Sequence, residues 1–270
     1  MRAALTVQVL VFEARSSFVR RAILWLLSAL CLSSCGALTA ASPTAPPTYR
    51  ESVLADQPAG YWPMNETTGS VMADASGNGN NGSYEGTVSL GQPGAMTVGA
   101  SASVGLDRQG GWATVPNAAS LQLDTISIEL WINKRSEVEY GAYVTKNFSP
   151  GDRAGSGWFE LLNHHHSGPI EFRVTEDNGT LASATSLALN TWYYVVATYD
   201  GSTARIYING KLDSSVAIAT VPKQSGDPLY IGRRADGLFN NALLSELAIY
   251  PRALSAERIA AHWRSAAVSH

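Results

Sequence analysis

The sequence predicts an all-β fold made of two packed antiparallel sheets. Short apolar or alternating runs recur along most of the chain, Gly, Asn and Asp clusters separate them, and no cysteine follows residue 35. A period of two puts alternate side chains on opposite faces of a strand. A sheet with one apolar face must bury it, and turns every 8–12 residues or so suit a sandwich. The 270 residues are 45% hydrophobic and only 15% charged, enough apolar matter for the core of one large domain. The only cysteines, Cys31 and Cys35, precede the β region, so that region has no disulfide and must hold by packing.

Residues 1–35 read as a leader. Arg20 and Arg21 precede an unbroken apolar run from Ala22 to Leu32, shorter than the roughly 20 residues that span a bilayer. The run ends in Leu32-Ser33-Ser34-Cys35-Gly36, which looks like a bacterial lipobox with Cys35 as the acylated residue. The alternative is an ordinary signal peptide. On the first reading the protein is secreted and lipid-anchored to the bacterial cell envelope, touching membrane through the anchor only. Residues 36–48, rich in Pro, Thr and Ala, read as a tether. The leader carries a net +3, so a chain of net −3 becomes −6 without it. That balance argues against a nucleic-acid partner.

From Tyr49 to residue 265 the pattern is that of the folded domain, with 266–270 as a tail. Ser127–Asn133 alternates, placing Ile128, Leu130 and Ile132 on one face. Ile170, Phe172 and Val174 do the same, and Trp192–Tyr199 is aromatic or β-branched throughout, as suits burial on both sides. Ala204–Ile208 meets Asn209-Gly210, a two-residue hairpin signal. Leu229–Gly232 and Leu244–Tyr250 follow, and Gly60–Asn65 adds a strand whose Pro63 suggests an edge or bulge. One short C-terminal helix is expected over Ala256–Arg264, capped by Ser255 and stapled by Leu254 and Ile259.

Taken in order, Asp56–Glu66, Asp74–Gly82, Gly91–Ala95, Val115–Leu121, Ile128–Ile132, Asn190–Val195, Thr198–Gly201, Tyr207–Lys211, Leu229–Arg233 and Leu247–Ser255 resemble laminin-G-like domains of the concanavalin A-like lectin and glucanase superfamily. The resemblance implies a jelly-roll sandwich of two antiparallel sheets with the first strand beside the last. It also implies that calcium is held near the rim in many relatives. The loop Asp74-Ala-Ser-Gly-Asn-Gly-Asn-Asn-Gly82 offers hard oxygen donors from Asp74, Asn78 and Asn81, with Glu246 from the last strand. Ser245 stands where relatives often place a second acid. The other reading of this loop is an Asx-type turn.

Sugar binding requires aromatic rings to stack on pyranose faces and planar polar groups for the hydroxyls. Glu129, Glu171, Arg173, Arg205 and Tyr207 lie on the polar sides of strands, and Trp112 and Trp158 lie beside glycines in expected rim loops. On one shared sheet face these residues would form a groove. Hydrolysis of glycosides would need two carboxylates on one strand face. Glu129 stands alone, Glu171 has Arg173 two residues on, and no nucleophile or metalloprotease motif occurs. His164-His165-His166 reads as a solvated loop. The sequence therefore predicts a non-catalytic envelope protein that recognises carbohydrate or a protein surface. Its rivals are an adhesion module working through protein–protein contacts and a divergent glycoside hydrolase.

Overall fold

A computed structural model describes residues 45–96, 101–146, 159–164, 168–174, 179–219, 224 and 226–266, and residues 46–270 form one compact unit. The leader with Cys35, Trp158, His165, His166 and residues 267–270 lie outside the described residues. Helix α1 (Tyr49–Ala55) is followed by β1 (Gly60–Trp62), β2 (Val71–Met72), β3 (Gly82–Glu85), β4 (Val88–Pro93), β5 (Ala102–Leu106), β6 (Trp112–Val115), β7 (Ile126–Lys134) and β8 (Ala142–Lys146). Then come β9 (Phe159–Asn163), β10 (Pro169–Arg173), β11 (Thr180–Ser186), β12 (Trp192–Tyr199), β13 (Thr203–Ile208), β14 (Lys211–Ala217), β15 (Leu229–Ile231), β16 (Ala242–Tyr250) and helix α2 (Ala256–Ser265).

The strands form two antiparallel sheets, a jelly-roll sandwich. Sheet I runs β14-β13-β12-β7-β16-β5-β4, with β1 also on β16; sheet II runs β11-β10-β9-β8-β15-β6-β3-β2. The long last strand β16 pairs with β7 along most of its length, with β5 through Ala242–Leu244 and with β1 through Leu247–Ile249. The first strand therefore lies beside the last. Between the two halves the register shifts, and Glu246 sits there with φ 57°, donating its N–H to Pro63 O at 3.0 Å. This is a bulge that redirects one side chain.

The core lies between the sheets. Ile128, Leu130, Ile132, Val195, Ala197 and Tyr199 of sheet I meet Leu161, Ile170, Phe172, Leu229 and Ile231 of sheet II, all nearly inaccessible to solvent. Each buried Val, Leu, Ile or Phe here contributes about 1.5–3 kcal/mol, so packing holds the sandwich without a disulfide. At one edge Asp213 joins the two sheets. Its carboxylate accepts the Ala184 and Thr185 N–H groups at 2.6 and 3.1 Å.

A second apolar layer covers the opposite face of sheet I. Trp131, Tyr194, Val196, Tyr207 and Tyr250 pack against Tyr49 and Val53 of α1 and against Ile259 and Trp263 of α2. Trp192–Tyr199 is thus covered on both sides, as its composition predicts. Helix α2 is capped by Ser255, whose Oγ accepts the Arg258 N–H at 3.3 Å. Helix α1 corrects the expectation of a β pattern from Tyr49 and of a single helix. Thr48 and Glu51 form a capping box there, with the Thr48 N–H donated to Glu51 Oε2 at 2.8 Å. The Asn209-Gly210 hairpin turn, with both φ values positive, presses against α2.

Gly210 has φ 76°, and a Cβ there would lie 2.8 Å from Trp263 Cβ. Gly210→Ala is expected to lower stability by more than the roughly 1–2 kcal/mol of left-handed strain. Gly237→Ala, at φ 85° with open space around it, should cost the strain alone. Urea unfolding of both variants checks the difference.

Candidate functional site

The predicted groove is split between the two sheets. Glu129, Arg205 and Tyr207 belong to β7 and β13 of sheet I, whereas Trp112, Glu171 and Arg173 belong to β6 and β10 of sheet II. Pairing partners, invisible to strand alternation, decide which strands share a sheet, and Trp112, expected in a rim loop, lies in β6.

The outer face of sheet I is closed by the helices. Glu129 is fully buried beneath them and accepts hydrogen bonds from the hydroxyls of Tyr49 at 2.6 Å and Tyr250 at 2.7 Å. His262 of α2, also fully buried, places Nδ1 2.9 Å from Glu129 Oε2 and Nε2 2.9 Å from Asp56 Oδ2. Both neighbours are carboxyl groups, an arrangement that favours a proton on each ring nitrogen and hence the imidazolium. Arg258 donates Nε–H to Asp56 at 2.8 Å, and Arg252 also bonds Asp56. Burial pushes Glu129 up, but the hydrogen bonds and charge of His262, with the tyrosines, outweigh it and hold Glu129 below its ordinary 4.5. Burial likewise pushes His262 down, and Glu129 and Asp56 bring it above its ordinary 6.5. Tyr207, 5% exposed, is packed in this layer, and Arg205 pairs with Asp200 at 2.6 Å. These sheet I residues therefore do not line an open groove.

The calcium candidates take part in hydrogen bonds within the protein. The two oxygens of Asp74 accept the N–H groups of Tyr61, Ser76 and Asn80 and the hydroxyl of Ser76, at 2.8–3.0 Å. Asn81 Oδ1 accepts the Asp74 N–H at 2.9 Å, and Asn78 donates its amide to Pro58 O and Ala59 O at 3.0 and 3.1 Å. Glu246 is bonded to the Tyr61 hydroxyl, and burial raises its carboxyl to about 7. Among the described residues no group of three or more His, Cys, Asp or Glu side chains is assembled for a metal.

The outer face of sheet II has a different character. In β9 and β10, Phe159, Leu161, Ile170 and Phe172 point to the core, leaving Glu160, Glu171 and Arg173 on the opposite side. Arg173 donates to Glu171 and lies 3.5 Å from Glu160, with its guanidinium carbon 5.3 Å from the Tyr140 ring centroid. Arg234 reaches Glu160 at 3.5 Å and Asp236 at 3.6 Å. Thr145 donates to Glu160 at 3.2 Å, and His164 stands 3.8 Å from Glu171. Burial raises the Glu160 carboxyl against the opposing pull of Arg234 and Arg173. Beyond this network lie Trp112, Tyr230, Arg233 and Phe239, all partly exposed. Trp112 donates its indole N–H to Thr114 at 3.1 Å. The face combines fixed hydrogen-bonding groups with aromatic surface.

Glu160, Arg234 and Tyr140 were missed from sequence. Alternation through Phe159-Glu-Leu161 would have exposed Glu160, whereas Arg234 and Tyr140 come from loops without periodicity. Thr48-x-x-Glu51 was a readable signal for α1.

Residues 107–260 match the laminin-G-type model of the Concanavalin A-like lectin/glucanases superfamily, more than half of the chain. The chain belongs to this superfamily. No curated protein matches the sequence. Among solved structures, this concanavalin A-like chain is similar to domain 4 of AbnA, a GH43 extracellular arabinanase from Geobacillus stearothermophilus, solved in complex with arabinotriose. The TM-score is 0.61 at 15% identity, covering 76% of this chain and 98% of that one. It is also similar to the binding domain of botulinum neurotoxin DC in complex with SialylT, with TM-score 0.59 and 16% identity over 78% of this chain and 52% of that one. The same neurotoxin domain in complex with rat synaptotagmin II gives 0.58 and 16% over the same shares. The chain spans about half of those neurotoxin domains. At such identities the likeness is one of fold.

The buried bridge fixes a pH dependence. His262, raised, contributes stability that is complete below its ordinary 6.5 and lost as pH rises through its folded value. Glu129, lowered, contributes stability present above 4.5 and lost as pH falls through its folded value. Glu246, raised to about 7, costs stability progressively as pH rises from its ordinary 4.5 to about 7. Urea unfolding should therefore give greatest stability in mildly acidic buffer. His262→Leu should cost about 3–5 kcal/mol, because it strands a buried carboxylate, and should flatten the alkaline slope.

Proposed function

We propose that this protein is a non-catalytic carbohydrate-binding protein of the bacterial cell envelope, with the outer face of sheet II as its binding surface. One observation carries the reading: helices cover the outer face of sheet I, while on sheet II the buried Glu160, Glu171 and Arg234 hold a partly exposed Arg173 beside partly exposed rings. Guanidinium and carboxylate groups held by one another lose little freedom when they bond sugar hydroxyls, and the adjacent rings offer apolar surface to pyranose C–H groups. The superfamily includes lectins by name, and a similar domain was solved in complex with arabinotriose, which accords with this use of the fold. The lipobox-like leader would display the sandwich at the envelope on a short tether.

Glycan-array binding tests the proposal. Arg173→Ala and Trp112→Ala should each weaken the bound glycan about tenfold or more, about 1.4 kcal/mol. Arg205→Ala, on sheet I, should leave binding intact. Crosslinking to a protein with every glycan ignored would favour the adhesion reading instead. Equal binding by all three variants would exclude this face.

One observation favours a hydrolytic alternative. Glu160 and Glu171 come together on Arg173, one carboxyl raised by burial and the other engaged by the guanidinium. Two carboxyl groups in unlike environments are the raw material of glycoside hydrolysis. Here Arg173 stands between them, which suits a clamp better than an acid–base pair. Turnover of a bound glycan, abolished by Glu160→Gln, would establish hydrolysis; binding without turnover is expected.

A further inference from the structure

Arg233 differs from the other arginines of this face. Arg173 and Arg234 are engaged by Glu160, Glu171 and Asp236, whereas Arg233 meets no carboxylate among the described residues. Its guanidinium carbon lies 4.9 Å from the Trp112 ring centroid, 5.0 Å from that of Tyr230 and 5.6 Å from that of Phe239. The shelf is itself braced: Trp112 and Phe239 have centroids 5.5 Å apart, and the Arg233 and Phe239 backbones form an antiparallel bridge. Nε–H donates to Arg234 O at 3.0 Å and Nη2 to Ala235 O at 3.4 Å. The remaining guanidinium N–H groups have no acceptor among the described residues.

A cation fixed over three rings, partly exposed and meeting no carboxylate among the described residues, is complementary to an anion. The rings reduce competition from water, which strengthens a charge-assisted hydrogen bond. A planar carboxylate matches the planar fork of guanidinium donors. Glu85 pairs with Trp112 across the sheet, and its carboxylate accepts the Ser83 hydroxyl at 3.4 Å. We infer that Arg233 on its aromatic shelf is a subsite for the carboxylate of a uronic acid residue, so that the ligand is an acidic polysaccharide. This inference rests on the carbohydrate-binding reading of sheet II and narrows its ligand class.

Isothermal titration with oligogalacturonate, with the same oligomer methyl-esterified, and with dextran sulfate tests it. The acid should bind about tenfold or more tightly than its ester. In Arg233→Ala and Arg233→Lys that ratio should fall toward one, Lys keeping charge but lacking the fork. Thermal midpoints near that of the unaltered protein establish that both variants are folded, and Arg233→Gln serves if either is not. Equal affinity for acid and ester, or a ratio undiminished in the variants, would overturn the inference while leaving carbohydrate binding standing. Dextran sulfate bound as tightly as oligogalacturonate would overturn the carboxylate assignment. Failure to bind these or any array glycan would overturn the carbohydrate reading, and this inference with it.

Discussion

A carboxylate buried without a partner is among the most costly groups a protein can hold. Glu129 in the middle of β7 is such a group, and its solution organises one side of the molecule. Two tyrosine hydroxyls and the His262 imidazolium satisfy its oxygens, and His262 in turn requires Asp56 on its far nitrogen. Asp56 sits at the C-terminal end of α1, and His262 is on α2, so the bridge ties both helices to the sheet. Aromatic packing supplies the rest: Trp263 stacks on Trp131 and Tyr194 with centroids 5.5 and 5.9 Å apart.

That closure directs function to the opposite face. A sandwich has two outer surfaces, and here one is spent on holding terminal helices. The remaining one, on sheet II, carries buried acids paired with arginines next to partly exposed rings. The same chemical types, Glu, Arg, Trp and Tyr, serve packing on one sheet and offer recognition on the other. What separates the two uses is that sheet II leaves Arg173 and the rings of Trp112, Tyr230 and Phe239 partly exposed.

Much of the fold was legible because strand alternation and turn chemistry are local. Ile128, Leu130 and Ile132 face the core as their spacing requires, Asn209-Gly210 turns the hairpin, and Ser255 opens α2. The site was less legible because it depends on pairing across distant segments. Nothing local to Glu129 distinguishes a groove residue from a buried anchor, and Arg205 and Tyr207 carried the same ambiguity. Glu160 lay within reach of period-two reasoning. Arg233 could not be singled out, since its meaning arises from Trp112 and Tyr230 on neighbouring strands and Phe239 across a bridge.

The central interaction can be measured by a double-mutant cycle on Glu129→Gln and His262→Gln, followed by urea unfolding at about pH 6 and about pH 9. A coupling above about 1 kcal/mol at the lower pH, smaller at the higher because raising pH draws the proton from His262, is the expected result. Additive effects at both pH values would mean that these two residues do not hold the helices to sheet I.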